Sequence, residues 1–282
     1  MSELWTVANG WNLDPWVMVP LVASALLYGI GLARLWSHAG VDRGIRTWQA
    51  LCFVSGWLSL LIALASPLYR IAEGLFLAHM IEHEIVMIVS TPLIVVSRPW
   101  GAMLWALRAS WRPRLGTLTR RGRVTAGWRF LANPWTATAL HGATLWMWHV
   151  PVLYESALGN LAIHRLQHVS FLVTALLFWW ALMNPRTRPA GYGVAVGCLF
   201  VTTLHTGFLG VLLTVSRQTW YSGQAAFAAL CGLTPLEDQQ VAGLIMWVPA
   251  GLIYTAAALA FAALWINGTS RGYGERHALA TD

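Results

Sequence analysis

Apolar residues in this chain fall into seven long runs separated by short polar breaks. The runs cover about 16–36, 48–66, 75–97, 135–157, 161–183, 192–215 and 239–266. Each holds roughly the twenty residues that a helix needs to cross ~30 Å of hydrocarbon. In lipid the backbone must satisfy its own hydrogen bonds, so such runs are expected as helices. The pattern predicts an all-α polytopic membrane protein, a seven-helix bundle forming one integral membrane domain over 1–282. Residues 1–15 lack a basic stretch followed by a cleavage site, so they read as a short tail and not a signal peptide. Pro92 and Pro249 sit inside runs three and seven and predict local distortion of those helices.

Composition agrees with this reading. The chain is 57% apolar and 10% charged, with 18 Trp, whereas soluble domains carry about 25% charged residues. An ordinary soluble enzyme and a disordered chain are both excluded. Every basic residue is Arg, and fifteen of the eighteen fall on one side of the seven runs. The excess of positive charge marks the cytoplasmic side, which predicts an outside N-terminus and a cytoplasmic C-terminus. The connection 98–134 carries eight Arg and no acid. That composition suits a segment lying on anionic head groups, with a short interfacial helix between Trp100 and Trp111. No nucleic-acid motif accompanies the charge. Cys52, Cys198 and Cys231 show no paired spacing, so neither a disulfide framework nor a zinc motif is implied.

The candidate chemistry is histidine. Seven of nine His lie in or beside the apolar runs: His79, His83, His141, His149, His164, His168 and His205. Ionisable groups in a span default to a functional reading. At 1.5 Å per residue, His83, His149 and His168 each lie about 10–12 Å below the outer end of their runs. His79/His83 and His164/His168 are i, i+4 pairs on one helical face, the spacing at which two imidazoles can bind one ion. Runs three, four and five are therefore expected to be neighbours, with His79, His83, His149, His164 and His168 converging as metal ligands. Glu82, His141, His205 and Asp238 are further candidates, and Met80, Met87 and Met147 could offer soft thioether. Glu82 shares the face of His79, and Asp238 is placed to close the site from above or to serve as a helix-end acid. Residues 79–83 also match the short H-x-x-E-H pattern of zinc peptidases, but a second His pair at the same depth is superfluous to that chemistry.

With those residues in place, the chain resembles the multi-pass CtaG family of cytochrome c oxidase assembly factors. The carriers are His79–His83, Ser90-Thr91-Pro92-Leu93, Arg98-Pro99 and His141-Gly142. Leu145-Trp146-Met147-Trp148-His149-Val150-Pro151 with Tyr154-Glu155, His164–His168 and Phe178-Trp179-Trp180 follow. The run Asp238-Gln239-Gln240-Val241-Ala242-Gly243-Leu244-Ile245-Met246-Trp247-Val248-Pro249 completes them. The resemblance implies a multi-pass protein of the bacterial inner membrane that helps metallate a haem–copper oxidase. Copper would be its cargo, and oxidase subunits or periplasmic copper chaperones its partners. No covalent catalysis is then required. Two other readings stay open at this stage. Imidazoles on facing helices also suit haem in an electron carrier, or they serve only as hydrogen bonds in a metal-free assembly scaffold.

Overall fold

The computed structural model describes residues 10–113, 122–184, 190–221, 223–224 and 226–280, and every regular element among them is a helix. Residues 1–9 of the tail and Arg114, Arg120, Arg121, Arg186 and Arg188 of the Arg-rich connections lie outside the described residues. The helices are α1 (Pro15–Ala39), α2 (Thr47–Ala65), α3 (Pro67–Ala72) and α4 (Phe76–Glu84). A π-helical turn (Ile85–Ser90) leads from α4 into α5 (Thr91–Val96), followed by α6 (Pro99–Ala106) and α7 (Gly122–Leu131). The remainder are α8 (Pro134–Trp148), α9 (Pro151–Gly159), α10 (Leu161–Met183), α11 (Ala190–Val215) and α12 (Pro235–Ala280).

Among the described residues, six stretches are long and apolar enough to cross a bilayer: Pro15–Ala39, Thr47–Ala65, Phe76–Val96, Leu161–Met183, Gly191–Val215 and Pro235–Asn267. They match six of the seven expected runs. The run 135–157 does not form one helix. It divides into the 15-residue α8 and the 9-residue α9 on either side of His149 and Val150. Pro151 promotes the break, because its ring disfavours helical geometry at the preceding residue, and Val150 sits at φ −67°, ψ 123°. α8 alone spans only about 22 Å.

Helix ends follow local chemistry. Asp14, Asn133 and Asn160 accept from the first free N–H groups of α1, α8 and α10. Ser66 closes α2 and accepts from Leu68 N to start α3. At the other end of α6, the Arg34 guanidinium donates to the Ala106 carbonyl at 2.6 Å, supplying the terminal acceptor with a cation.

Pro92 shapes the middle of the third span. It has no N–H to give, and in an α-helix its ring would press on the carbonyl four residues earlier. The chain takes one π turn over 85–90, so Thr91 N bonds to Val86 O instead of Met87 O. Met87 O then has no backbone donor within the helix. It accepts Thr91 Oγ1 at 2.5 Å and Trp179 Nε1 at 2.9 Å. The expected distortion is thus a π turn that locks the third span to α10. α12, by contrast, continues as helix through Pro249.

The largest core cluster among the described residues gathers Phe76, Tyr154, Phe171, Phe178, Trp179 and Tyr254 from four helices. α10 packs on the π turn, α5 and α8, while α4 packs on α12 and α8 on α11. Span three thus lies against α10, and it also meets the fourth run where Phe76 and His79 face Tyr154 of α9. α11 and α12 form the closest long pair. A Cβ at Gly243 would stand 2.6 Å from Gly210 O, and one at Gly210 2.8 Å from Gly243 O. Only glycine lets these two backbones meet. Many large apolar side chains remain exposed along the outer faces, among them Leu26, Ile62, Val173, Phe200 and Leu252, as expected where lipid replaces water as the surrounding solvent.

Candidate functional site

α4 and α10 bring the two His pairs together. Ring centroids lie 4.2 Å apart for His79–His83 and 4.6 Å for His164–His168. Across the helices, His83–His168 is 5.0 Å, His79–His164 5.9 Å and His79–His168 6.3 Å. Four imidazoles therefore form one compact group, with Phe171 against His83 at 4.7 Å and Tyr154 edge-on to His79 at 5.3 Å. The helical spacing explains each pair, and the contact between pairs comes from the packing of span three against α10.

A directional chain runs through the group. Tyr69 Oη lies 3.5 Å from His164 Nδ1, His164 Nε2 lies 3.0 Å from His168 Nε2, and His168 Nδ1 lies 3.4 Å from Glu82 Oε1. Burial pushes the Tyr69 phenol up to about 12, with the nearby Glu73 carboxylate adding to the effect. Tyr69 keeps its proton at neutral pH and can donate it to His164 Nδ1. With the phenol as donor, His164 carries its proton on Nε2, facing His168, and His168 presents Nδ1–H to Glu82.

Much of the group's hydrogen-bonding capacity is unspent. His79 Nε2, both ring nitrogens of His83 and Glu82 Oε2 are buried without a hydrogen-bond partner, and Glu82 Oε1 has only the long contact to His168. Buried polar groups are ordinarily paired, so such a concentration at one place marks a site. Among the described residues, no three His, Cys, Asp or Glu side chains have donor atoms already converged on a metal position. Donors are gathered, but they are not preformed as a coordination sphere. A cavity of about 270 Å³ adjoins the group, lined by Tyr69, Glu73, His79, Ala157 and His164 among others.

His149 occupies the break between α8 and α9. Its Nδ1 donates to Leu145 O at 2.7 Å, so Nε2 carries the lone pair, and that atom is buried and unpartnered. Its carbonyl accepts Tyr221 Oη at 2.7 Å. It is close enough for a charge on it to be felt at His79 and His83. Anchoring Nδ1 on a carbonyl is the usual way a ligating imidazole is oriented.

His141 and His205 lie elsewhere. His141 stacks on Phe178 at 5.3 Å, and its Nδ1 is 3.3 Å from Thr174 Oγ1. That hydroxyl already donates to Ser170 O, so His141 donates from Nδ1 and keeps a free lone pair on Nε2. His205 packs over Gly142, where a Cβ would meet its Nε2 at 3.1 Å. No ring contact links either residue to the four-imidazole group among the described residues. Met80 and Met87 pack in the apolar core, and Met147 is exposed.

Asp238 serves as a helix-end acid, but for α4 and not for its own helix. Its Oδ2 and Oδ1 accept Phe76 N at 2.8 Å and Leu77 N at 2.9 Å. It caps α4, whose own preceding residue, Leu75, offers no side-chain acceptor. Asp238 is free for this because Thr234 and Glu237 already cap α12 reciprocally, through Glu237 Oε2 to Thr234 N and Thr234 Oγ1 to Glu237 N. Both carboxylate oxygens are therefore occupied in positioning the helix that carries His79 and His83.

Sequence reasoning also missed several supports of the site. Gln224 donates to Ala72 O and accepts from Tyr154 Oη. Arg165 makes a two-nitrogen contact with Asp14 Oδ2 at 3.0 and 2.7 Å. Residues more than sixty positions apart make these bonds, and no local pattern marks them.

Fold and site together define a polytopic helical membrane protein with an intramembrane histidine cluster. The chain belongs to the family of cytochrome c oxidase caa3 assembly factors, whose model matches residues 26–268. It is also 24% identical, over 296 aligned positions, to uncharacterized proteins of Mycobacterium bovis and Mycobacterium tuberculosis. The match covers 96% of this chain and 42% of each relative, so the chain spans less than half the length of those relatives. No solved structure matches it.

Proposed function

We propose that this assembly factor receives a copper ion at the His79/His83/His164/His168 group and passes it to the copper centre of the oxidase by ligand exchange. The observation that carries the reading is the concentration of unpartnered imidazole nitrogens on two rigid helices. In this reading His149 Nε2 and the Glu82 carboxylate complete the set, and Glu82 offsets the charge of the ion. His141 and His205 would act as a separate polar pair deeper in the bundle. Uptake would shift the His164 proton from Nε2 to Nδ1, where Tyr69 Oη can accept it, and this frees Nε2 for the ion, so the ligand set is assembled on binding. Release would follow when donors of an oxidase subunit or of a periplasmic chaperone replace His164, which faces the cavity. No bond to the protein other than metal coordination forms or breaks.

A haem reading needs a flat slot between axial imidazoles. Here the four rings and Phe171 fill the space between α4 and α10, which favours a compact ion. In the same reading the protein sits in the bacterial inner membrane with the N-terminus outside and the C-terminus in the cytoplasm. α8 and α9 together then complete a seventh crossing, and the Arg-rich connection lies on the cytoplasmic side.

The test is a Cu(I) competition titration in detergent on single variants. Even losses around the ligand shell cost about 10–100-fold in metal affinity, so His83→Ala and His168→Ala should each weaken binding by at least that order. His38→Ala, at a ring tilted 5.5 Å from Trp105, should bind as the unaltered protein does. Equal affinity in all three variants would defeat the copper reading and leave a metal-free scaffold as the better account.

A further inference from the structure

A groove of about 1430 Å³ lies between α1 and α2 on one side and α10 on the other. Along α10 it extends from His164 to Asn184, about 30 Å at 1.5 Å per residue, which is the hydrocarbon thickness of a bilayer. Its walls are mainly apolar side chains such as Phe53, Leu60, Leu172 and Leu176. The two ends differ in charge. At the His164 end the cation is Arg165, and Asp14 neutralises it. At the other end stands Arg98, which is exposed and has no carboxylate within ion-pair distance among the described residues.

Arg98 also has a left-handed backbone, φ 54° and ψ 53°. That conformation is uncommon for a residue with a side chain, and such strain tends to persist where a position has a task. Trp100 and Trp128 line the same end, and Trp128 is fixed edge-on to Trp180 of α10 at 4.9 Å. Tryptophans at this level are the usual markers of the membrane–water interface.

We infer that the groove is a binding site for one anionic phospholipid, with its phosphate at Arg98 and its acyl chains lying between α1/α2 and α10. The charge difference between the ends selects an anionic head group at the Arg98 end. The apolar walls select the chains. The inference does not depend on copper. A lipid seated there would fill the space between the α1/α2 pair and the helix that carries His164 and His168.

The experiment is native mass spectrometry of the full chain, exchanged in mild detergent against an equimolar mixture of phosphatidylglycerol and phosphatidylcholine. One Arg near an anionic surface is worth about a fivefold preference, so the unaltered protein should retain phosphatidylglycerol over phosphatidylcholine by about that factor. Arg98→Gln should bring the two lipids to parity, Arg98→Lys should keep the preference, and Val173→Trp should reduce retention of both by filling the groove. Unchanged circular dichroism will identify the folded variants. Equal retention of the two lipids by the unaltered protein would overturn the inference, and so would an undiminished preference in Arg98→Gln. Displacement of phosphatidylglycerol by inorganic phosphate would show a free-anion site instead. Co-purification of an isoprenoid quinone in place of phospholipid would equally refute it.

Discussion

Asp238 offers a sharp test of how the His79/His83 helix is held. Its two oxygens accept the first backbone N–H groups of α4 at 2.8 and 2.9 Å, in a site where the side chain is almost fully buried. Hydrogen bonds to a charged acceptor contribute about 1.5–3 kcal/mol each, and the positive end of the helix adds a few tenths to about 1 kcal/mol for a carboxylate. Asp238→Ala removes both bonds and strands two N–H groups in a buried place. Replacing a cap by Ala costs about 0.5–2 kcal/mol at ordinary exposed sites, so a loss of roughly 3 kcal/mol is expected for this buried two-bond cap. Asp238→Asn keeps one acceptor oxygen and loses the charge, and should cost about half as much. The assay is reversible unfolding in mixed micelles followed by tryptophan fluorescence. The order unaltered, Asn, Ala must appear in the unfolding midpoints. Cu(I) affinity of the Asn variant should stay within a fewfold of the unaltered protein, because both Asp238 oxygens are engaged in capping the helix. Midpoints for Asp238→Ala and the unaltered protein that coincide would refute the capping argument. A loss of copper affinity in Asp238→Asn as large as that in His83→Ala would make Asp238 a ligand after all.

Two further predictions concern packing and orientation. Gly243→Ala places a methyl 2.6 Å from Gly210 O and from Thr214 Oγ1, so α11 and α12 must separate; overpacking of this kind costs about 1–3 kcal/mol. The unfolding midpoint should fall accordingly, while Gly251→Ala, where a Cβ meets nothing within 4 Å, should leave it unchanged. Cysteines introduced at Ser37 and Ser216, in a chain cleared of its own three, should differ in labelling by an impermeant thiol reagent added to intact cells. Residue 216 should react and residue 37 should not, and the reverse would overturn the orientation drawn from the arginine distribution.

The limits of six spans were legible in the sequence, because a helix in lipid is set by the length of its apolar run, and that property is local. The i, i+4 pairing of His79 with His83 and of His164 with His168 was equally legible, since helical periodicity alone puts both members on one face. Tertiary structure decided the rest. The division of the fourth run at His149 follows from Pro151, but whether a membrane helix bends or breaks at proline depends on what replaces the lost backbone bonds. At Pro92 the Trp179 indole and the Thr91 hydroxyl supply that replacement, and the helix continues through a π turn. The meeting of the two His pairs, the separation of His141 and His205 from them, and the use of Asp238 as a cap for a helix 162 residues away all depend on which faces pack. The sequence marks which side chains are costly to leave unpaired in lipid, whereas their partners are chosen only when distant helices close around them.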